Sequence, residues 1–162
     1  DEETIFCLKI SSSFYSDAYF KIGKSNNDEY FAYSRIGLSR RDFLEKTSSL
    51  FSIDDFKTYN ELISSSKFVD FLNYYSPIIK QSLSDNQKGV LQDLLKNRLK
   101  MDVEKAYGLD GHSYEGIIYH PDPEIFSCWC RVPHEWDILI KVIVFLVKEI
   151  AQLDYQKYGV LK

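Results

Sequence analysis

The run from Ile138 to Val147 is the strongest constraint on what this chain can fold into. It is ten residues long and apolar except for Lys141. A membrane-spanning helix needs about 20 such residues, so this run predicts a buried helix instead. It is apolar nearly all round, so one contact face cannot cover it, and it has to be packed on both sides. Pro133 precedes it, at a position where the missing N–H of proline is not needed. The pattern therefore predicts a final helix from Pro133 to about Leu153.

The cover for such a helix has to come from the rest of the chain, and strand signals lie at both ends. Thr4 to Ile10 is an apolar-rich run with Lys9 as its one charge. Ala18 to Ile22 and Glu29 to Arg35 flank the polar cluster Lys24-Ser25-Asn26-Asn27-Asp28, which predicts a hairpin. Ser11 to Asp17 reads as the loop before it. Near the other end, Asp110-Gly111 is a turn. His112 to Tyr119 and Ile125 to Val132 then flank His120-Pro121-Asp122-Pro123-Glu124, a second hairpin with a loop stiffened by two prolines.

The middle carries helical spacing. Ser39 and Asp42 approximate a capping box ahead of Phe43, Leu44, Thr47, Leu50 and Phe51. Phe56, Tyr59, Leu62 and Ile63 form a second stripe. Phe68, Phe71, Leu72, Tyr75 and Ile79 form a third, which Pro77 should kink or end. Ser84 and Gln87 make a better capping box and open a longer helix through Val90, Leu91, Leu94, Leu95 and Leu99. Gly89 inside it costs roughly 1 kcal/mol relative to Ala. Gly108 suits a helix end.

The expected fold is α+β, with one antiparallel sheet built from N- and C-terminal strands, a helical middle and a buried C-terminal helix. At 162 residues and 44% hydrophobic, the chain can bury a core without staples. No repeat, low-complexity tract or linker interrupts it, so residues 1–162 read as a single α+β domain.

Most familiar chemistries lack their residues here. The seven glycines are scattered and form no phosphate-binding loop. Three cysteines are too few, and odd in number, for a disulfide framework; free thiols suit a reducing, cytoplasmic setting. The chain opens Asp1-Glu2-Glu3, which is not a signal peptide. It has no initiator Met, which leaves room for an upstream segment.

Cys128-Trp129-Cys130, with His134 and His120 near in sequence, invites a zinc reading. The cysteine spacing is too short for the common sites. On a strand, Phe126, Cys128, Cys130 and Val132 share an apolar face, where cysteine packs as a small hydrophobe and its thiol is inert. No metal and no cofactor are expected. His112 beside Ser113, with Asp110 and Glu115, lacks the surroundings of a hydrolase triad, and a surface histidine next to a turn is the preferred reading. Asp54-Asp55 is better placed to complement a helix dipole than to act as an acid–base pair. No enzymatic activity is expected.

Two surfaces remain as binding candidates. Arg35, Arg40 and Arg41, with Lys9, Lys21 and Lys24 and the aromatics Tyr19, Phe31 and Tyr33, would suit nucleic acid if gathered. The net charge of −4 argues instead for a solvated charged face and against direct nucleic-acid binding. Around the second hairpin the acids Asp110, Glu115, Asp122, Glu124, Glu135 and Asp137 cluster beside Trp129 and Trp136. An acidic rim steers a basic partner and aromatics anchor it, so these six acids are the expected partner-binding residues.

The C-terminal third also carries a pattern of Asp-Gly, a hairpin, a Trp ending the second strand, Pro-x-x-Trp and an apolar helix. Its positions are Asp110, Gly111, Tyr114, Trp129, Pro133, Trp136 and Leu139. The pattern resembles bacterial immunity proteins of contact-dependent growth inhibition and related polymorphic toxin systems. The resemblance covers under a third of the chain. It implies a non-enzymatic cytoplasmic protein that binds a cognate protein toxin domain, a nuclease among the candidates, and blocks its active site or substrate access. It implies no membrane partner. Two alternatives stay open: a small enzyme using His112, His120 and His134, and a regulatory or scaffold domain of a larger protein.

Overall fold

A computed structural model of the chain describes residues 2–50, 59–96, 111–119, 122–129, 132–133 and 136–158. Within them the fold is α+β. Three strands open the chain: β1 (Glu2–Ser12), β2 (Ala18–Ser25) and β3 (Tyr30–Ile36). Helices α1 (Arg40–Leu50), α2 (Tyr59–Ser64) and α3 (Ser66–Tyr75) follow, then a short strand β4 (Ile79–Ser82) and helix α4 (Asp85–Lys96). The hairpin of β5 (His112–Ile118) and β6 (Glu124–Trp129) precedes α5 (Asp137–Phe145). A π-helical segment, Leu146–Ile150, continues α5, and a short α6 (Tyr155–Tyr158) comes last.

The six strands form one antiparallel sheet in the order β4-β3-β2-β1-β5-β6. The N-terminal strand thus lies at the centre, paired on one side with its neighbour in sequence and on the other with a strand over a hundred residues away. The alternation of apolar residues dictates one covered face. Phe6, Leu8 and Ile10 stand opposite Ile22, Phe20 and Ala18 on β2, and opposite Ile118, Gly116 and Tyr114 on β5. Phe126 and Cys128 of β6 extend the same face. A register shift between Thr4 and Phe6 lets Ile5 be buried as well.

α4 and α5 pack together, and the α5 side chains join the covered face of the sheet in one core. Leu91 and Leu94 come from α4; Leu139, Val142, Ile143 and Phe145 from α5; Leu146, Val147 and Ile150 from the π-helical segment. Burial of each such side chain contributes about 1.5–3 kcal/mol. The all-round apolar character of Ile138–Val147 is thereby satisfied.

The Ser84–Gln87 capping box forms reciprocally. The Ser84 amide donates to Gln87 Oε1 at 2.8 Å, and the Gln87 amide donates to Ser84 Oγ at 3.3 Å. At α1 the Asp42 amide donates to Ser39 Oγ at 3.1 Å, as the spacing predicted. Phe43 of α1 meets Phe68 and Phe71 of α3 edge-on, at 6.0 and 6.3 Å between ring centroids.

Four expectations need correction. The third helical stripe stops at Tyr75, and Ile79 belongs to β4, an edge strand paired with β3. The Ser76 side chain is tied to the carbonyl of Ile36, and Pro77 cannot continue the helix, so the chain turns back onto the sheet edge. The last helix begins at Asp137, not Pro133; the Trp136 amide donates to the Pro133 carbonyl at 2.9 Å, closing a turn before the helix. Its regular helical path ends at Ile150 rather than Leu153. His112 is buried, with its Nε2 against the Lys157 carbonyl, so it is no surface histidine. Gly108, Phe51, Phe56, Leu99 and Asp54-Asp55 lie outside the described residues.

Candidate functional site

A sheet with helices on one face leaves its other face to be explained. The residues between the core positions point there. Cys7 and Lys9 of β1 stand opposite Lys21 and Tyr19 of β2, and these stand opposite Tyr33 and Arg35 of β3. Lys80 of the edge strand faces Tyr33. On the other side, Lys9 faces Glu115 and Cys7 faces Ile117 of β5, followed by Ser127 and Ile125 of β6. Ile125 is 63% exposed and Tyr19 42%, which is far from core burial.

The register puts lysines beside aromatic rings, and the ammonium groups lie over the ring faces. Lys80 Nζ is 4.0 Å from the Phe31 ring centroid and 5.1 Å from that of Tyr33. Lys21 approaches Tyr33 at 5.3 Å and Lys9 approaches Tyr19 at 5.8 Å. Attraction between cation and ring quadrupole, about 0.5–1 kcal/mol at exposed sites, holds these long side chains flat along the face. Tyr33 donates its hydroxyl to Glu2 Oε2, and Lys80 lies 3.8 Å from the same oxygen. The hydrogen bond with Tyr33, helped by Glu2, raises the Lys80 pKa. Lys9 and Tyr19 both reach Asp17, at 3.4 and 3.2 Å. Burial first, and then Asp17, raises the Tyr19 pKa, so the phenol stays neutral.

The structure therefore gathers Lys9, Lys21, Tyr19, Phe31, Tyr33 and Arg35, the group set aside on net charge, and adds Lys80, which had not been placed. A strand at Ile79–Ser82 would have exposed that link, but its four residues carry too little pattern. Lys24 pairs with Asp28 across the hairpin turn at 2.7 Å, and Arg40 and Arg41 open α1.

The six expected partner-binding acids fall differently. Glu115 projects from the open face of β5, opposite Lys9. Glu124 begins β6 with the parity of Phe126, on the covered side. Asp137 is exposed on the first turn of α5, which packs on that covered side, and Asp122 is exposed in the hairpin loop. Glu115 and Asp137 thus belong to opposite sides of the sheet. Asp110 and Glu135 lie outside the described residues. The two tryptophans part company as well. Trp136 is a core residue, edge-on to Phe126 at 6.2 Å. Trp129 is half-buried on the open-face side of β6, and its indole N–H has no hydrogen-bond partner among the described residues.

Of the resembling positions, Tyr114, Trp136 and Leu139 are buried where hairpin and helix meet, so their role is in the fold. Cys128 is buried beside them, and desolvation pushes its thiol up to about 12. Burial also raises Cys7, with Lys21 opposing. Neither thiol is an activated nucleophile. His120, His134 and Cys130 lie outside the described residues, among which no group of metal-ligating side chains occurs. No helix among the described residues is long and apolar enough to cross a membrane.

Comparison with protein-family models, curated proteins and solved structures gives no match to this chain.

Proposed function

We propose that the protein is an immunity protein, which neutralises a cognate toxin domain by binding it one-to-one through the uncovered face of the sheet. The observation that carries this reading is the lysine–aromatic array on β1, β2, β3 and β4, set back-to-back with a fully packed face. Held flat by their rings, these side chains lose little further freedom on binding, which favours a tight interface. Aromatic anchors with cations around them suit a partner surface that carries carboxylates. Glu115 and Ser127 on the same face supply polar complements. The C-terminal pattern shared with immunity proteins supports the same reading, and its buried positions leave partner choice to the exposed ones.

The test is co-expression with the toxin domain encoded beside the gene. Rescue of growth is expected, together with a one-to-one complex on gel filtration. Growth arrest with no complex would rule the reading out. A complex unaffected by Tyr19→Ala and Lys21→Glu together would show that the binding surface lies elsewhere.

A further inference from the structure

At the end of the sheet where β2 begins and β3 leaves, a cleft of about 960 Å³ opens between the turn after β1 and the start of α1. Small-molecule sites measure roughly 300–1,000 Å³. Its walls carry Arg35, Arg40 and Arg41, and its one lining carboxylate, Asp17, is already engaged by Lys9 and the Tyr19 hydroxyl. No carboxylate among the described residues pairs with any of the three arginines.

Arg35 is also set in place. Its Nε donates to the Ser76 carbonyl at 2.7 Å and to Ser76 Oγ at 3.2 Å, and Nη2 reaches Asn73 Oδ1 at 3.5 Å. Ser76 is itself buried and anchored to Ile36. The guanidinium is thus gripped along one edge while its remaining N–H donors have no acceptor among the described residues. A fixed, half-satisfied guanidinium suits a bidentate oxyanion.

The lining also carries aromatic rings. Phe14 is 69% exposed and Tyr15 42%, an unusual outlay of large rings on a turn. The Ser12 hydroxyl accepts from the amides of both residues at 3.2 Å, which fixes the turn that presents them. Rings and guanidinium groups lining one cleft match a ligand with a flat ring and a phosphate.

We propose that this cleft binds a phosphorylated, ring-bearing small molecule of the nucleotide class, with its phosphate on Arg35, Arg40 and Arg41 and its ring against Phe14 and Tyr15. Net acidity of the chain disfavours a long polyanion, but one small anion answers only to the local charge. The cleft shares Arg35 and Tyr19 with the edge of the uncovered sheet face, but ADP binding is tested without the toxin and stands or falls independently of that reading.

Titration of the full chain with ADP, followed by amide NMR, tests this. Saturable shifts are expected at residues 12–17 and 39–41, with Kd of about 1 mM or tighter. Adenosine and inorganic phosphate should each bind at least about tenfold more weakly, since each lacks one half of the recognition. Arg40→Gln with Arg41→Gln should weaken ADP by about tenfold or more and leave the unfolding midpoint unchanged, because both side chains are exposed. Phe14→Ala should weaken ADP but not phosphate. Absence of saturable shifts, shifts centred elsewhere, or ADP no tighter than phosphate would each overturn the proposal.

Discussion

The ring of Phe126 lies directly over Gly116, one strand away. A β-carbon at position 116 would stand 2.3 Å from Phe126 Cζ and 2.5 Å from the Cys7 carbonyl oxygen. The ring covers the bare backbone of β5 and stacks beside Phe6 of β1 at 6.1 Å between centroids. Glycine at 116 lets Phe126 of the edge strand β6 reach across β5 to the Phe6 ring of β1.

Gly116→Ala should therefore destabilise the fold by about 1–3 kcal/mol, the usual cost of forcing extra volume into a packed core. Because one of the clashing atoms is backbone, rotation of Phe126 alone cannot relieve it. Chemical denaturation checks the size. Phe126→Leu in the same background should recover part of the loss, and an additive double variant would show that the ring is not the obstacle.

The capping box at α4 gives a second prediction. Ser84→Ala removes the acceptor for the Gln87 amide and should cost about 1 kcal/mol. Gln87→Ala should cost at least as much, because Gln87 Nε2 also donates to Glu149 Oε2 of the π-helical segment at 3.0 Å. A double-mutant cycle should find the two substitutions less than additive, since they share one reciprocal pair.

How much of this was legible in the sequence follows from which signals were local. The Ser84–Gln87 box, the hairpin around Ser25 and Asn26, and the alternation of Phe6, Leu8 and Ile10 are short-range patterns, and the structure places them as their spacing implies. β4 was hidden because Ile79 also fits the period of the helix before it, and only Ser76 and Pro77 turn the chain aside. His112 was misplaced because its burial depends on Lys157, forty-five residues away. The candidate site failed to emerge for the same reason. Lys80 meets Phe31 and Tyr33 only once β4 adds to β3, whereas acids grouped in the C-terminal third, such as Glu115 and Asp137, end on opposite sides of the sheet.

Alkaline pH offers a test of the packed face. Burial raises Cys128 from 9.0 to about 12, so the folded state holds its proton more tightly than the unfolded chain does. Stability from this group is complete below about pH 9 and is lost as pH rises toward 12. Cys128→Ala lowers stability at pH 7 but should flatten the decline between pH 9 and 12 relative to the parent chain. Iodoacetamide at pH 8 should leave Cys128 unmodified in the native protein and modify it after denaturation, as peptide mass spectrometry would report. Rapid native labelling of Cys128 would contradict its burial.

The open face should separate binding from stability. Lys21 lies over Tyr33 and Lys9 over Tyr19, with the aromatic rings between solvent and a sheet whose other side is already packed. Each exposed cation–ring contact contributes about 0.5–1 kcal/mol at most, so Tyr19→Ala or Lys21→Glu alone should lower stability by about 1 kcal/mol or less. On the proposed toxin interface the same changes remove an aromatic anchor or place a carboxylate against an acidic partner surface. Such changes typically cost about 2 kcal/mol or more, roughly a thirtyfold loss of affinity. Asp137→Lys, on the first turn of α5 behind the sheet, should leave that affinity within about twofold. Calorimetric titration of the purified pair measures all three variants. The assignment of the face holds if the loss follows Tyr19 and Lys21, and fails if it follows Asp137.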